Sequence, residues 1–511
     1  MERERHYDLV VVGGGINGVG IARDAAGRGF SVFLCEQDDL AAHTSSASTK
    51  LIHGGLRYLE HYEFSLVSKA LTEREVLLRN APHIIWPLRF VMPHQPTLRP
   101  AWLIRLGLLL YDRLGKRRLL PGSRAIDLHR HPAGLPLRPE LKRGFEYSDC
   151  WVQDARLVVL NAMDAAERGA AILPRTRCTA AERGAKRWRL RLQAADGSER
   201  RVTAACLVNA TGPWVRRFLE QIAGLTAGTD VRLVKGSHIV VPRLFQHGYC
   251  YIFQNPDRRI VFAIPFEQDY TLVGTTDVPF TGDPATVAID ADEVAYLCDA
   301  INRYFRQQIG PDDVVWSYAG VRPLHDEDEV ADPAAVTRDY ALELDRTAAP
   351  VLSVYGGKIT TYRRLAEEAM GAIESLLGRR RGSWTAGAPL PGGDLPQADF
   401  DAFHKDFCQR HPWLPAPLAL RYARNYGSRS ELLLDGATSL ADLGQHYGAD
   451  LYEREVRYLI AHEWARSSDD ILWRRTKLGL RLTPTEAARL QQRLEAEPAP
   501  LTTSAGQGLR N

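Results

Sequence analysis

The sequence predicts an α/β protein in three parts: a parallel, doubly wound nucleotide-binding domain, an antiparallel-sheet domain inserted into it, and a helical C-terminal region. Three observations carry this reading. Residues 7–12 (YDLVVV) form a β-branched run that enters a glycine turn and then a helical stretch. Short aromatic and β-branched runs at 231–242, 259–266 and 270–276 are separated by Pro, Gly and Asp, as in an antiparallel sheet. Residues 398–494 follow a helical period in LALRYARNYG, LYEREVRYLIAHEWARS and TPTEAARLQQRL.

Composition narrows the class. The 511 residues hold 65 Lys plus Arg against 62 Asp plus Glu, with 45% hydrophobic residues, so the chain is neither disordered nor charged as a nucleic-acid binder. Its 7 cysteines form no CxxC pair, which removes the basis for zinc ribbons and thioredoxin-type chemistry, and the odd count fits a reducing compartment. The charged start and the short strand after it do not make a secretory signal, and no apolar run is long enough to span a bilayer. A cytoplasmic location follows as the expectation, and no metal site is expected.

Taken in order, the first element is a βαβ unit. Gly13, Gly15 and Gly18 lie at the spacing of a dinucleotide turn, with Asn17 between them; a helix runs to about residue 28, and a second strand, 30–35, ends at Glu36. Gly13 permits the turn, Gly15 admits a pyrophosphate, Gly18 lets helix and strand pack closely, and Glu36 accepts the ribose hydroxyls. The helix N-terminus favours phosphate charge. An acid here, with no adjacent Arg, disfavours NADP but does not separate FAD from NAD. Residues 43–61 (HTSSASTKLIHGGLRYLEH) then place Thr44, Ser45, Ser46, Ser48 and Lys50 where hydroxyls and amides can cradle phosphate. Residues 99–118 carry six cations and one acid around WLIRLGLLLYDRLGKRR, with Arg105, Asp112 and Lys116 near one stripe, as in a helix that lies on anionic lipid or packs in a core. Two further strand-to-glycine turns follow, 205–210 into Gly212 and 351–355 into Gly356, Gly357 and Lys358, with a helix from Thr360. The run 379–396 (RRRGSWTAGAPLPGGDLP) reads as a linker.

Several long blocks together carry a resemblance: GGGINGVG at 13–20, TSSASTKLIHGGLRYLEHY at 44–62, GFEYSDCW at 144–151, VNATGPW at 208–214, KGSHIVVP at 235–242, GTTD at 274–277, GVRPL at 320–324, GGKITTY at 356–362 and DILWRRTK at 470–477. Over essentially the whole chain they resemble the FAD-dependent, aerobic glycerol-3-phosphate dehydrogenases. The resemblance implies an FAD-binding Rossmann-like domain of the glutathione-reductase/amino-acid-oxidase type over 1–378, an inserted substrate domain at about 80–140 and 215–345, a linker at 379–397 and a cap domain at 398–511. It also implies oxidation of sn-glycerol 3-phosphate to dihydroxyacetone phosphate, electrons passing from FAD to ubiquinone or menaquinone, a peripheral position on the inner face of the cytoplasmic membrane through 99–118, and a possible homodimer.

The residues suit that chemistry. A phosphate dianion calls for forked cations, and Arg57, Arg322 and Arg338 are the candidates. His238 is the candidate base for the C2 hydroxyl proton, with His53 as the alternative. Lys358 would stabilise charge on the reduced flavin or bind substrate oxygens, and Tyr58 and Thr276 would donate hydrogen bonds to substrate. Gly212, Gly357 and Thr360 join the cofactor set. An oxygen-using glycerol-3-phosphate oxidase, a redox-inactive FAD-binding scaffold and an amine oxidase stay open at this level.

Overall fold

Leu9, Val10 and Val11 are fully buried, so Arg5–Val12 is a central strand covered on both faces. The computed structural model describes residues 5–95, 99–115, 119–229, 231–257, 259–325, 339–379 and 381–496. Arg5–Val12 pairs in parallel with Val32–Cys35 and with Glu199–Asn209; Ala171–Leu173 lies beyond the former and Val351–Gly356 beyond the latter. The register sets Val12 level with Cys35 and Asn209, and Asn209 level with Ser353. Four strand ends therefore open on one crevice, which is where a doubly wound sheet binds its ligand.

Helices Ile16–Gly27, Asp154–Glu167 and Tyr362–Leu377 cover one face of this sheet, packing Val19, Val158 and Leu365 on Leu9 and Val11. On the other face Tyr7, Val10 and Phe33 meet Trp188 and Phe218.

A second, mixed sheet holds Val231–Pro242 between Tyr270–Gly274 and Trp316–His325, and continues through Ile260–Phe266 and Cys250–Gln254 to Ile85–His94. Arg143–Val152 and Leu51–Ile52 follow, with Arg124–Asp127 and Val278–Pro279 as short side strands, so two strands lying outside 80–140 and 215–345 belong to this sheet. Helix Ala291–Asn302, started by the Asp290 capping box, packs Leu297 and Ile301 on one face. Phe64–Asn80 and Ala101–Leu114 pack Val67, Leu71, Leu108 and Tyr111 on the other.

Helix Ala101–Leu114 turns its polar stripe and its apolar face to different neighbours. Arg105 donates to Ser123 Oγ at 2.7 Å, and Asp112 accepts from Ser123 N–H at 2.8 Å and from its hydroxyl at 2.6 Å, so that polar stripe is clamped to the following loop. Trp102, Leu106 and Leu110 on the apolar face are exposed while Leu108 and Tyr111 are buried, and Lys116 lies outside the described residues. The run read as a linker is packed as well: Leu390 is buried, Asn80 Nδ2 donates to Thr385 O at 3.0 Å and Arg23 Nη2 donates to Ala388 O at 3.0 Å.

The C-terminal region has its own core, where Phe407, Leu418, Tyr422, Leu459 and Leu490 meet. It is joined to the rest by buried ions. Asp39, in the loop after Val32–Cys35, accepts from Arg474 at 2.6 Å and from Nη1 and Nη2 of Arg475 at 2.8 Å; Arg175 reaches Asp470 at 2.6 Å, and Arg156 pairs with Glu463. Asp39→Ala leaves two arginines without their shared carboxylate, one of them fully buried, and should destabilise the fold by about 3–5 kcal/mol in denaturant unfolding. An unchanged midpoint would contradict this joint.

Candidate active site

The glycine turn is shaped for a dinucleotide. Gly13 sits at φ +115°, and a Cβ on Gly18 would lie 2.0 Å from Gly13 O, a distance no side chain survives. Gly15 faces Ser45, whose Oγ would be 3.1 Å from an added Cβ and accepts Ile16 N–H at 3.0 Å. Glu36 accepts Gly14 N–H at 2.7 Å and Asp38 N–H at 3.0 Å; burial nevertheless raises its carboxyl above the ordinary range. Across the crevice, Asn17 Nδ2 donates to Gly356 O at 3.1 Å and lies 3.0 Å from where a Cβ on Gly357 would sit, while the buried Asn17 Oδ1 has no protein partner. Gly212, at φ +57° after Asn209, closes a third side. Close-approach glycines, a helix N-terminus, an acid at the second strand end and an orphan amide oxygen fit the adenine dinucleotide half of FAD.

The loop between the two sheets forms the remaining wall. Thr44 donates to Val321 O at 2.7 Å and Ser46 to His43 O at 3.2 Å. Ser48 and Lys50 are committed elsewhere: Ser48 Oγ donates to Asp154 Oδ2 at 2.8 Å, and Lys50 Nζ bonds both oxygens of Asp154 at 2.9 Å, with both side chains of that pair 1% exposed. Asp154 lies 104 residues away and no spacing signal marks it.

Thr49, beside Lys50, reaches the second sheet, where its Oγ1 lies 3.0 Å from His238 Nε2. His238 is 2% exposed and stands opposite Gly274 and Tyr318 in the pairing register. A Cβ on Gly274 would lie 2.0 Å from the imidazole, and Tyr318 stacks on the other side at 4.8 Å and 16°. Burial, then the charges of Lys50 and Arg322, hold the imidazole well below its usual pKa, so it is neutral near pH 7. Its Nδ1 has no protein partner.

Arg322, on the same strand as Tyr318, is oriented by Asp277 at 2.7 Å and by Thr276 O at 2.9 Å; the side chain keeps 26% exposure. Thr276 itself is fully buried. Its hydroxyl donates to Glu293 at 2.7 Å and accepts Ser237 N–H at 2.9 Å, so it serves the sheet, and only its carbonyl touches Arg322. Lys358 Nζ lies 3.8 Å from the centre of the Tyr58 ring, and Thr360 Oγ1 accepts His53 N–H at 3.3 Å. Arg57 falls in the short helix Leu56–His61 but its side chain lies outside the described residues, as does the whole of Arg338.

His238 and Arg322 thus lie on paired strands of the second sheet, while segments 53–58 and 358–360 meet each other through Tyr58 with Lys358 and His53 with Thr360. The sequence singled out none of Asp277, Tyr318, Gly274 and Asp154 as site residues. Asp277 closes the GTTD block and Tyr318 alternates with Gly320 on a strand, but their partners are distant in sequence. Among the described residues no cluster of three metal-ligating side chains occurs.

Comparison with known proteins agrees with this geometry. A family model described as FAD dependent oxidoreductase matches residues 8–363, and one described as the C-terminal domain of alpha-glycerophosphate oxidase matches residues 383–494. The glycerol-3-phosphate dehydrogenase of Pseudomonas aeruginosa is 57% identical over 493 residues, covering 96% of this chain and 95% of that protein. The D-erythritol 1-phosphate dehydrogenase of Brucella abortus is 53% identical over 483 residues, covering 94% and 96%. The crystal structure of the glycerol-3-phosphate dehydrogenase from Bacillus halodurans complexed with FAD superimposes with a TM-score of 0.75 at 28% identity, covering 96% of this chain and 94% of that one.

Gly18→Ala forces the turn apart, and the purified variant should carry little FAD by absorbance at the flavin bands. A full complement of FAD would remove the 13–18 turn from the cofactor site.

Proposed function

Because the chain belongs to the FAD-dependent glycerol-3-phosphate dehydrogenases, we propose that it oxidises sn-glycerol 3-phosphate at C2 to dihydroxyacetone phosphate at the site built around His238, and delivers the electrons to a membrane quinone. FAD, when bound, supplies the hydride acceptor. The observation that carries the site assignment is the neutral, buried His238 with one nitrogen on Thr49 and the other without a protein partner, beside an arginine aimed by Asp277. With Nε2–H donating to Thr49, Nδ1 keeps a lone pair for the hydroxyl proton.

Arg322 takes the phosphate, its orientation fixed before binding by Asp277, and Lys358 above Tyr58 supplies a second positive charge. Arg57 and Arg338 join the phosphate site on the strength of the family resemblance. Tyr58 orients the substrate from the short helix that also carries Arg57. The relative acting on D-erythritol 1-phosphate marks a second reading, a longer polyol phosphate held by the same phosphate site. Comparison of kcat/KM for the two esters decides between them, and the proposal expects glycerol 3-phosphate to be preferred.

No helix among the described residues is long and apolar enough to cross a membrane. Attachment is instead supported by the surface. Six of the nine exposed large hydrophobics among the described residues, Tyr62, Phe64, Trp102, Leu106, Leu110 and Leu119, lie on 56–64, on helix Ala101–Leu114, which packs against 56–61, and just beyond it. Trp102, Leu106 and Leu110 are spaced four apart on one helix stripe, and the sequence around them carries six cations, each worth about 1 kcal/mol near anionic lipid.

Three results are expected. Arg322→Lys keeps the charge and loses the fork, so KM for glycerol 3-phosphate should rise about tenfold, the equivalent of one charge-assisted hydrogen bond; an unchanged KM removes Arg322 from the phosphate site. Burial beside Lys50 and Arg322 lowers the pKa of His238, and the neutral form is the base. Flavin reduction should therefore stay flat from pH 7.5 to about 6.5 and fall only in more acid solution; an acid limb above pH 7 contradicts the assignment. Leu106→Asp with Leu110→Asp should abolish flotation with anionic vesicles while leaving oxidation with a soluble electron acceptor intact; undiminished flotation rules out this surface.

A further inference from the structure

The C-terminal domain touches the catalytic region through aromatic rings. Trp473, in the segment Asp470–Arg475, stacks on Trp316 with centroids 4.5 Å apart and planes at 19°. Trp316 begins the strand Trp316–His325 and lies 5.0 Å from Tyr318 at 41°; Tyr318 stacks on His238 at 4.8 Å and 16°. Four rings in series therefore connect the C-terminal domain to the imidazole. Each link is fixed by something else. Trp473 is held by its neighbours, since Arg474 and Arg475 bind Asp39 and Asp470 binds Arg175, and Gly479 leaves room for the indole, with an added Cβ there falling 2.4 Å from the ring. Phe266 lies parallel to Trp316 at 6.5 Å and 11°. Tyr318 donates to Ser48 O at 2.8 Å and carries the Lys50 ammonium 4.9 Å from its ring centre.

Beside the stack is a cavity of about 240 Å³, walled by Trp473, Trp316, Tyr318, Lys477 and Thr44 among others. It shares no residue with the glycine turn, and neither His238 nor Arg322 lines it. If Trp473 is removed, Trp316 gains free volume and loses a flat neighbour; its indole can then tilt, and Tyr318, whose hydroxyl is anchored but whose ring leans on Trp316, can tilt with it and carry the imidazole stacked on it. Aromatic pairs of this kind contribute orientation beyond their buried area.

We propose that Trp473 is a positioning residue for His238, acting through Trp316 and Tyr318, so that the C-terminal domain completes the active site without touching the substrate. This rests on the reading of His238 as the base. Misplacement of a reacting group by a fraction of an ångström to 1 Å lowers a rate by roughly 10-fold to 100-fold, without a matching loss of binding.

The test is a double-mutant cycle on the FAD-loaded full-length enzyme, followed by anaerobic stopped-flow reduction of the flavin by glycerol 3-phosphate. Trp473→Leu fills much of the space without a flat ring and should slow reduction at saturating substrate about tenfold, with the dissociation constant and flavin content within twofold of the parent. Trp473→Phe should restore the rate. In the His238→Ala background Trp473→Leu should add no further slowing, because both changes act on one step. Parental rates in Trp473→Leu, a Trp473→Phe variant as slow as Trp473→Leu, or additive effects in the double variant would each overturn the proposal. Parental rates in His238→Ala alone would instead overturn the base assignment. Should Trp473→Leu fail to fold, Trp316→Leu and Trp316→Phe break the next link of the stack and are judged by the same outcomes.

Discussion

Much of the molecule turns on one buried ion pair, Lys50 with Asp154. Each side chain is 1% exposed, and the ammonium also bonds Ser46 O at 3.0 Å. Desolvation offsets most of the attraction in such a pair, so its worth lies less in net stability than in fixing one conformation of the chain around it. That chain is the loop 44–50, whose last residue, Lys50, sits in the left-handed region at φ +59°, a conformation a β-carbon tolerates only when its surroundings over-determine it. The loop is shared property. Ser45 lines the dinucleotide crevice, Thr49 reaches the imidazole, and the Ser48 carbonyl receives the Tyr318 hydroxyl.

A consequence is that the cofactor half and the substrate half are not independent modules joined by a flexible hinge. Leu51–Ile52 leaves the loop directly into the second sheet, and the next segment places Tyr58 under Lys358, which comes from the glycine turn after the last parallel strand. The neutrality of His238 follows from the same arrangement: burial and two nearby cations exclude a third positive charge. On the proposed reading, this neutral imidazole and an arginine oriented in advance are what oxidation of a phosphorylated alcohol requires of the protein.

The dinucleotide turn was legible in the sequence because its chemistry is local. Glycine spacing, a strand before it and an acid at the end of the next strand all fall within 24 residues of Gly13. The two later strand-to-glycine turns were legible for the same reason, and the register sets Asn209 level with Val12 and Ser353 level with Asn209, so both turns leave the same edge of the sheet as the first. Arg322 could be singled out as a charge in an otherwise apolar, glycine-punctuated string, and His238 as an imidazole on a strand of the expected substrate sheet. Thr276, Ser48 and Lys50 look like ligand-binding residues from sequence, but their polar groups meet Glu293 and Asp154, partners with no periodic relation to them. The apolar face of helix Ala101–Leu114 was legible from its period, but the capture of Arg105 and Asp112 by Ser123, from a loop beyond the helix, was not. The DILWRRTK block was recognisable as a pattern, but its contacts with Asp39 and Trp316 are legible only in three dimensions.

The central claim is that a flavin and a phosphorylated polyol meet at the loop that Lys50 and Asp154 hold. Anaerobic addition of glycerol 3-phosphate to the purified, FAD-loaded protein, with the visible spectrum recorded after each aliquot, examines it directly. Stoichiometric loss of the flavin absorbance is the predicted result, and a spectrum that stays oxidised in excess substrate would contradict it.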